Sequence, residues 1–219
     1  MGQDLILIGS GGCMREILWQ IEERNKEIFT WNILGYVDKQ PFVSNGSSAI
    51  NVGDICCPYL GDDNFLLSRH QKTNVAVSVG EPELRKRIVE KLKKNHWLKF
   101  PNLIMSDTRI CQDTEMGQGC IISMDCRIST NVILGDFVFL NIASVICHDG
   151  RIGDFTTLSP DTKIAGQVRI GSQCEIGMGS KVIQGTAIGD RVTAGAGSVI
   201  VKDIQNDCKV AGVPARKIG

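Results

Sequence analysis

The sequence predicts two structural classes in one chain: a small parallel α/β sheet over residues 1–100, then a parallel β-helix of hexapeptide repeats over residues 101–219. Three observations carry this. The first half alternates short apolar runs with helical patterns, beginning with "DLILIGSGGCMREILWQIEERN". In the second half an aliphatic residue returns every six positions, from Ile110 to Ile200, through sixteen anchors without a gap. Four residues after each anchor the chain is small or β-branched, as at Cys120, Val132, Ser144, Thr162 and Val192.

Taken in order, Leu5 to Ile8 reads as a short buried strand, followed by a glycine turn and a helix from about Cys13 to Arg24. A second strand, "ILGYVD", ends at Asp38, and a third, "NVAVSVG", ends at Gly80. Pro82 then opens the helix "ELRKRIVEKLKK". The stretch "VSNGSSAINVGDICCPYLGDD" is polar and glycine-rich and reads as loop, with Cys56 and Cys57 adjacent in it. His70 and His96 flank helical patterns as surface or boundary residues. Strands alternating with helices make a Rossmann-like sheet whose ligands are expected at the carboxyl ends of its strands. Gly9, Gly11 and Gly12 begin a dinucleotide fingerprint, but Met14 stands where the third glycine belongs. Free backbone amides at a helix start favour a phosphate, and Asp38 sits where a ribose-binding acid would be, so a nucleotide or nucleotide-sugar is expected here. A nicotinamide oxidoreductase is the competing reading, weakened by the missing glycine and by the lack of a partner catalytic domain.

In the repeat each hexad makes one side of a prism, with the anchor inward and coils stacked at strand spacing. Cys120, Cys126 and Cys174 take the small inward position and are read as packing residues, not ligands. Known hexad proteins wind left-handed with three sides per coil, so by resemblance to them 18 residues return the chain to the same face. Residues two places after the anchors then form columns. One column, Gln118, Asp136, Asp154, Ser172 and Asp190, is a solvated face. A second, Met124, Ile142, Pro160, Met178 and Ala196, is apolar on the outside and suggests a surface covered by other copies of the chain. The third holds Gln112, Thr130, His148, Gly166, Gln184 and Lys202, with Gly166 expected to leave open backbone beside the His148 ring.

Composition narrows the function. The chain has 24 basic and 24 acidic residues and no long basic run, which disfavours nucleic acid and anionic membranes. No apolar run approaches the roughly 18 residues of a spanning helix, and "MGQDLILIGSGG" lacks the features of a signal peptide, so a cytoplasmic location is expected. Nine cysteines without paired spacing read as free thiols.

A Gly-x-Gly-Gly α/β domain joined to hexads carrying "HDGRIGDFTTLSP", "AGQVRIG", "GAGSVIVKDI" and "AGVPARK" resembles the bacterial sugar O-/N-acyltransferases. These include sialic acid O-acetyltransferases and N-acetyltransferases of UDP-4-amino sugars in the bacillosamine pathway. The resemblance covers nearly the whole chain. It implies a trimer of left-handed β-helices, acetyl-CoA as co-substrate, and a sugar or sugar nucleotide as acceptor, with no metal. It implies His148 as general base, its basicity raised by Asp149. It places the sugar nucleotide at Gly11, Gly12 and Cys13, with further contacts at Asp38, Lys39 and Gly80, and Asn141 near the acceptor. Acetyl-CoA would lie in the groove between adjacent prisms, against Gly166, Met178 and Ala196. Many relatives carry histidine where this chain has Cys13, and another, contacting the acetyl donor, where it has Thr157. These departures bear on the acceptor and on the donor contact.

Acyl transfer from a thioester needs a base for the incoming amine or hydroxyl, donors for the oxyanion, and alignment of both reactants. An imidazole titrates near neutrality, which suits His148 to the first task, and backbone N–H groups around Gly166 suit the second. Besides the oxidoreductase, two rivals are weighed against this. Zinc carbonic anhydrases share hexads but need several histidine ligands per site, and the repeat has only His148. A non-catalytic scaffold subunit would leave the His148–Asp149 pair without a purpose. O-acetylation of sialic acid or another glycan precursor stays the alternative to N-acetylation of a UDP-4-amino sugar.

Overall fold

A computed structural model describes residues 2–44 and 46–218. The chain divides into two compact units, one running to Gly80 and including Leu84–Pro101, the other holding Glu81–Glu83 and the chain from Asn102 onward.

In the first unit β1 (Gln3–Ile8), β2 (Trp31–Val37), β5 (Tyr59–Gly61), β6 (Thr73–Val77) and β7 (Leu98–Lys99) form a parallel sheet in the order β5-β2-β1-β6-β7. The run Leu5 to Ile8 is buried throughout, as a central parallel strand covered on both faces requires. Helix α1 (Gly12–Glu27) packs Met14, Ile17, Leu18 and Ile21 inward, at the spacing of one helical face. Helix α3 (Pro82–Leu92) follows β6. Because β2 and β6 lie on opposite sides of β1, the turn after β1 stands at the switch point of the sheet, where α/β proteins leave a crevice.

The stretch expected to be loop is more ordered than its composition suggests. It holds the antiparallel pair β3 (Ile50–Val52) and β4 (Ile55–Cys57), the edge strand β5, and the approach to the short helix α2 (Asp63–Leu67). Cys56 and Cys57 therefore lie in a strand, with Cys57 buried. A tertiary contact fixes the hairpin: the buried carboxylate of Glu22 accepts a 2.7 Å hydrogen bond from the Asp54 N–H, beside Gly53 at φ 52°. Three-residue strands carry too little alternation to stand out, and the contact that orders them comes from α1.

The second unit is a left-handed parallel β-helix. Two-residue strands end on each anchor and stack into three parallel sheets. Each strand pairs with the one 18 residues on, Ile146 beside Ile164 and Leu158 beside Ile176. The anchors and the small residues between them form one core, with Ile146, Leu158, Val168, Cys174 and Ile176 at 0 % exposure. Cys120, Cys126 and Cys174 belong to it, and burial pushes the Cys126 thiol up to about 12 and that of Cys174 to about 11, which keeps both neutral.

One expectation about this unit is corrected. Residues two places after the anchors lie on the corners between sheets, not on flat sides, because each hexad spends its strand on the anchor and turns immediately afterward. The next residue takes a left-handed conformation: Asp125, Asn131, Ala143, Asp149, Asp161 and Gln167 all lie between φ 53° and 62°. Short polar residues adopt that region most readily, which explains the Asp and Asn at these positions. The columns are therefore ridges. The Gln118–Asp136–Asp154 ridge is tied by its own side chains, Asp154 Oδ1 accepting from the Asp136 N–H at 2.8 Å.

Candidate active site

The His148 corner joins the strand Val145–Ile146 to Arg151–Ile152. Asp149 occupies the left-handed position at φ 61°, and its N–H donates to the Thr130 carbonyl one coil before at 3.1 Å. The tight corner turns the Asp149 carboxylate back toward the preceding ring, so that adjacent side chains meet: Oδ2 lies 2.8 Å from His148 Nδ1. A carboxylate can only accept, so Nδ1 carries a proton, and in the neutral ring Nε2 holds the lone pair. Asp149 Oδ1 accepts from Asn131 Nδ2 at 2.6 Å. These two donors, His148 first and Asn131 second, hold the Asp149 carboxyl below the usual carboxylate range.

The coil that follows seats the ring. A Cβ placed on Gly166 would come within 2.4 Å of His148 Nε2 and 2.5 Å of its Cε1. The imidazole thus lies directly over the Gly166 backbone, which corrects the expectation that this backbone is open beside the ring. The ring itself stays half-exposed, at 46 % of its side-chain area. Below it the Gln167 N–H donates to the His148 carbonyl at 2.9 Å, locking the corner between coils. The arrangement is a proton acceptor with a fixed tautomer, held from two sides and open to solvent on the third.

The structure brings together His148, Asp149 and Gly166, and adds Asn131, which sequence reasoning missed. The signal for Asn131 was its place exactly one coil before Asp149, legible only once the left-handed corner position is known. Met178 and Ala196 lie on the next ridge along the prism, exposed, Met178 at 57 %. Asn141 precedes that same ridge, its Oδ1 accepting from the Ile142 N–H at 2.7 Å. Thr157 is 5 % exposed in a different sheet from the strands flanking His148. One prism therefore does not bring Asn141, Thr157, Met178 and Ala196 to the His148 ring. Among the described residues no three His, Cys, Asp or Glu side chains gather as a metal site would require.

Removing the Asn131 amide is predicted to weaken the pair without dismantling it. In Asn131→Ala the carboxylate keeps its largest stabilising partner and loses the second, so its pKa rises toward the ordinary value. The interaction is fully present above the unfolded carboxyl pKa and is lost as pH falls through the folded one. The acid limb of the kcat/KM profile should therefore move to higher pH, with kcat at neutral pH reduced by about 3- to 30-fold, less than a full base deletion costs. An unmoved acid limb would separate Asn131 from the chemistry.

In the first unit, the glycine turn is open. Gly11 is the N-cap of α1, with no side-chain cap, and nothing lies within 4 Å of a Cβ built on it. The helix start thus has no side-chain cap and is open at Gly11, as an anion would need. Ser10 Oγ donates to Asp38 Oδ2 at 2.6 Å and the Lys39 N–H to Asp38 Oδ1 at 2.7 Å, tying the ends of β1 and β2 together. Lys39 is exposed. The Cys13 thiol is pushed up to about 11, first by burial, so it stands at the helix start as a neutral group. Gly80 is held from behind by Arg85, 2 % exposed, whose guanidinium donates to the carbonyls of Val79 and Gly80 at 2.7 and 2.8 Å. Gly11, Gly12, Cys13, Asp38, Lys39 and Gly80 all sit at or just past the carboxyl ends of β1, β2 and β6.

Known proteins share both parts of this build. Residues 4–92 match the model of the PglD N-terminal domain family. Over 99 % of its length the chain is similar to PerB from Caulobacter crescentus, solved in complex with CoA and GDP-perosamine, with a TM-score of 0.86, 27 % identity and 98 % of that chain covered. It is similar along its whole length, and along all of the other chain, to the acetyltransferase domain of PglB from Neisseria gonorrhoeae in complex with acetyl coenzyme A, with a TM-score of 0.83 and 29 % identity. WeeI from Acinetobacter baumannii, at 21 % identity and a TM-score of 0.78 over 99 % of this chain and 100 % of that one, shares the fold. No curated protein matches the sequence. The chain is thus an acyltransferase with the build of these CoA-binding acetyltransferases, and its residues 4–92 match the PglD N-terminal domain family.

Proposed function

We propose that the chain transfers the acetyl group of acetyl-CoA to the amino group of a nucleotide-linked sugar, a UDP-4-amino sugar being the expected acceptor, with His148 as general base. The single observation that carries this is the His148–Asp149–Asn131 relay, a half-exposed imidazole with its proton fixed on Nδ1. Support for the reactants comes from the likeness to PerB with CoA and GDP-perosamine and to the PglB domain with acetyl coenzyme A. An amine is the better acceptor on this likeness, since perosamine carries one and PerB is named for N-acetyl transfer.

In this reading Nε2 takes the proton as the amine nitrogen bonds to the thioester carbonyl carbon. The C–S bond then breaks, and the imidazolium returns the proton to the departing thiolate. Asp149 stabilises the charged ring in between, and Asn131 keeps Asp149 aligned. The Gly166 N–H, which makes no hydrogen bond among the described residues, is a donor available for the oxyanion. The open glycine turn and the Asp38 hydrogen bonds suit the nucleotide diphosphate and ribose of the acceptor.

The protein acts as a trimer in this proposal. The Met124–Ile142–Pro160–Met178–Ala196 ridge is apolar, and neighbouring prisms would cover it while bringing Asn141, Met178 and Ala196 of one copy toward the His148 corner of the next. Light scattering should give three chains per particle, and a stable monomer would remove this step. The activity itself is tested by incubating the protein with acetyl-CoA and a panel of UDP-, GDP- and CMP-linked sugars, amino and hydroxyl, scored by mass gain and thiol release. Acetylation confined to hydroxyl sugars would overturn the N-acetyl reading, and no thiol release with any member would overturn the enzyme.

A further inference from the structure

Beside the corner, a cleft of about 480 Å³ is lined by Asn131, Asp149, Arg151, Gln167, Arg169 and Gly185. Arg151 and Arg169 are direct register partners on adjacent parallel strands, about 4.8 Å apart. Like charges placed opposite one another destabilise a sheet, so an undischarged pair of guanidiniums here has a cost. At the same strand position three basic residues are spent on structure, reaching back to the carbonyl of a left-handed corner residue in the preceding coil: Arg127 to Asp107, Arg151 to Asn131 at 2.7 Å, Lys163 to Ala143 at 2.7 Å, while Lys181 bonds the Gly179 carbonyl of its own corner. By that rule Arg169 would bond the Asp149 carbonyl. It does not, and among the described residues it makes no hydrogen bond or ion pair.

Charge in the cleft is unbalanced in one direction. Its one carboxylate, Asp149, already has both oxygens engaged by His148 and Asn131. The Gln167 amide adds neutral donors, and beside Gly185 there is open space, with nothing within 4 Å of a Cβ built there. An unpartnered guanidinium fork beside a second one, over an open floor and next to the candidate base, suits a planar-fork acceptor with several oxygens.

We propose that Arg169, with Arg151 beside it, binds a phosphoryl group of a reactant during acetyl transfer. This rests on the acetyl-transfer reading, in which both reactants carry phosphates: acetyl-CoA its diphosphate and 3′-phosphate, the acceptor its nucleotide diphosphate. The site lies beside Asp149, the partner of the candidate base.

The test is calorimetric binding of CoA, dephospho-CoA, UDP and GDP to wild type, Arg169→Gln and Arg169→Lys, with a thermal melt to confirm that each variant folds. Arg169→Gln should weaken at least one probe by about 10- to 100-fold, the scale of a charge-assisted hydrogen bond, and Arg169→Lys should recover part of it. A loss for CoA but not for dephospho-CoA assigns the 3′-phosphate, and an equal loss for both assigns the CoA diphosphate. A loss confined to UDP or GDP assigns the acceptor and moves its diphosphate from the glycine turn to Arg169. If wild type binds these probes and Arg169→Gln binds all of them as well, the arginine site is wrong while the acetyl-transfer reading stands. If wild type binds none of them, it is the acetyl-transfer reading that fails.

Discussion

His148→Ala lowers kcat by about 10²- to 10⁴-fold, on the scale of a deleted general base, and leaves the melting temperature and the binding of CoA nearly unchanged. The expectation follows from position. The ring packs into no core, being half-exposed on a corner, so its removal costs little stability. What it does contribute is a lone pair on Nε2, oriented by the hydrogen bond to Asp149 and by the Gly166 backbone beneath. Removing it takes away proton transfer and spares the surfaces that would hold the reactants, so the loss should fall on kcat and not on KM. A thiol-release assay with the identified acceptor measures both constants. A variant that turns over at the wild-type rate would show that the corner is structural, and the repeat would then be better read as a scaffold for assembly.

Much of this site was legible in the sequence, and the reason is periodicity. An aliphatic anchor every six residues fixes the strand, the coil and the stacking partner at once, so that His148, Gly166 and Thr130 could be placed in one column before any coordinates. The period does not give the conformation between anchors. It could not show that the column is a ridge of turns, that Asp149 sits at φ 61°, or that this bends its carboxylate onto the neighbouring ring. Asn131 was missed for the same reason, since its amide meets Asp149 only because both occupy left-handed corner positions one coil apart. In the first unit, the glycine turn and Asp38 stood out because βα turns in parallel sheets have their own chemistry. The β3–β4 hairpin did not, because it depends on Glu22, 32 residues away in sequence from Asp54.

Gly166→Ala is predicted to inactivate the protein almost as fully as His148→Ala while leaving the histidine in place. The added methyl would stand 2.4 Å from His148 Nε2, a separation no pair of such atoms sustains, so one of them must move. The Gly166 backbone is fixed between coils, its carbonyl accepting from the Gly185 N–H at 2.9 Å. The imidazole is the far end of a half-exposed side chain held by one hydrogen bond, so it is the ring that swings away. Gly166 lies outside the left-handed region, so alanine fits its backbone, and the loss of chain entropy in the unfolded state offsets the displaced ring by about 0.4–1 kcal/mol. The fold should therefore persist with an unchanged or slightly higher melting temperature, while kcat drops by about 10²-fold or more as the base leaves its partner. Two further readings make the cause specific. Asp149 loses the donor that does most to hold its carboxyl down, so its titration, followed by carboxyl-carbon NMR, moves up. The double variant His148→Ala/Gly166→Ala should be no slower than His148→Ala alone, because both substitutions remove the same positioned ring. A Gly166→Ala protein with wild-type turnover would mean that the ring acts from some other rotamer, and that the seat over the glycine is incidental to the chemistry.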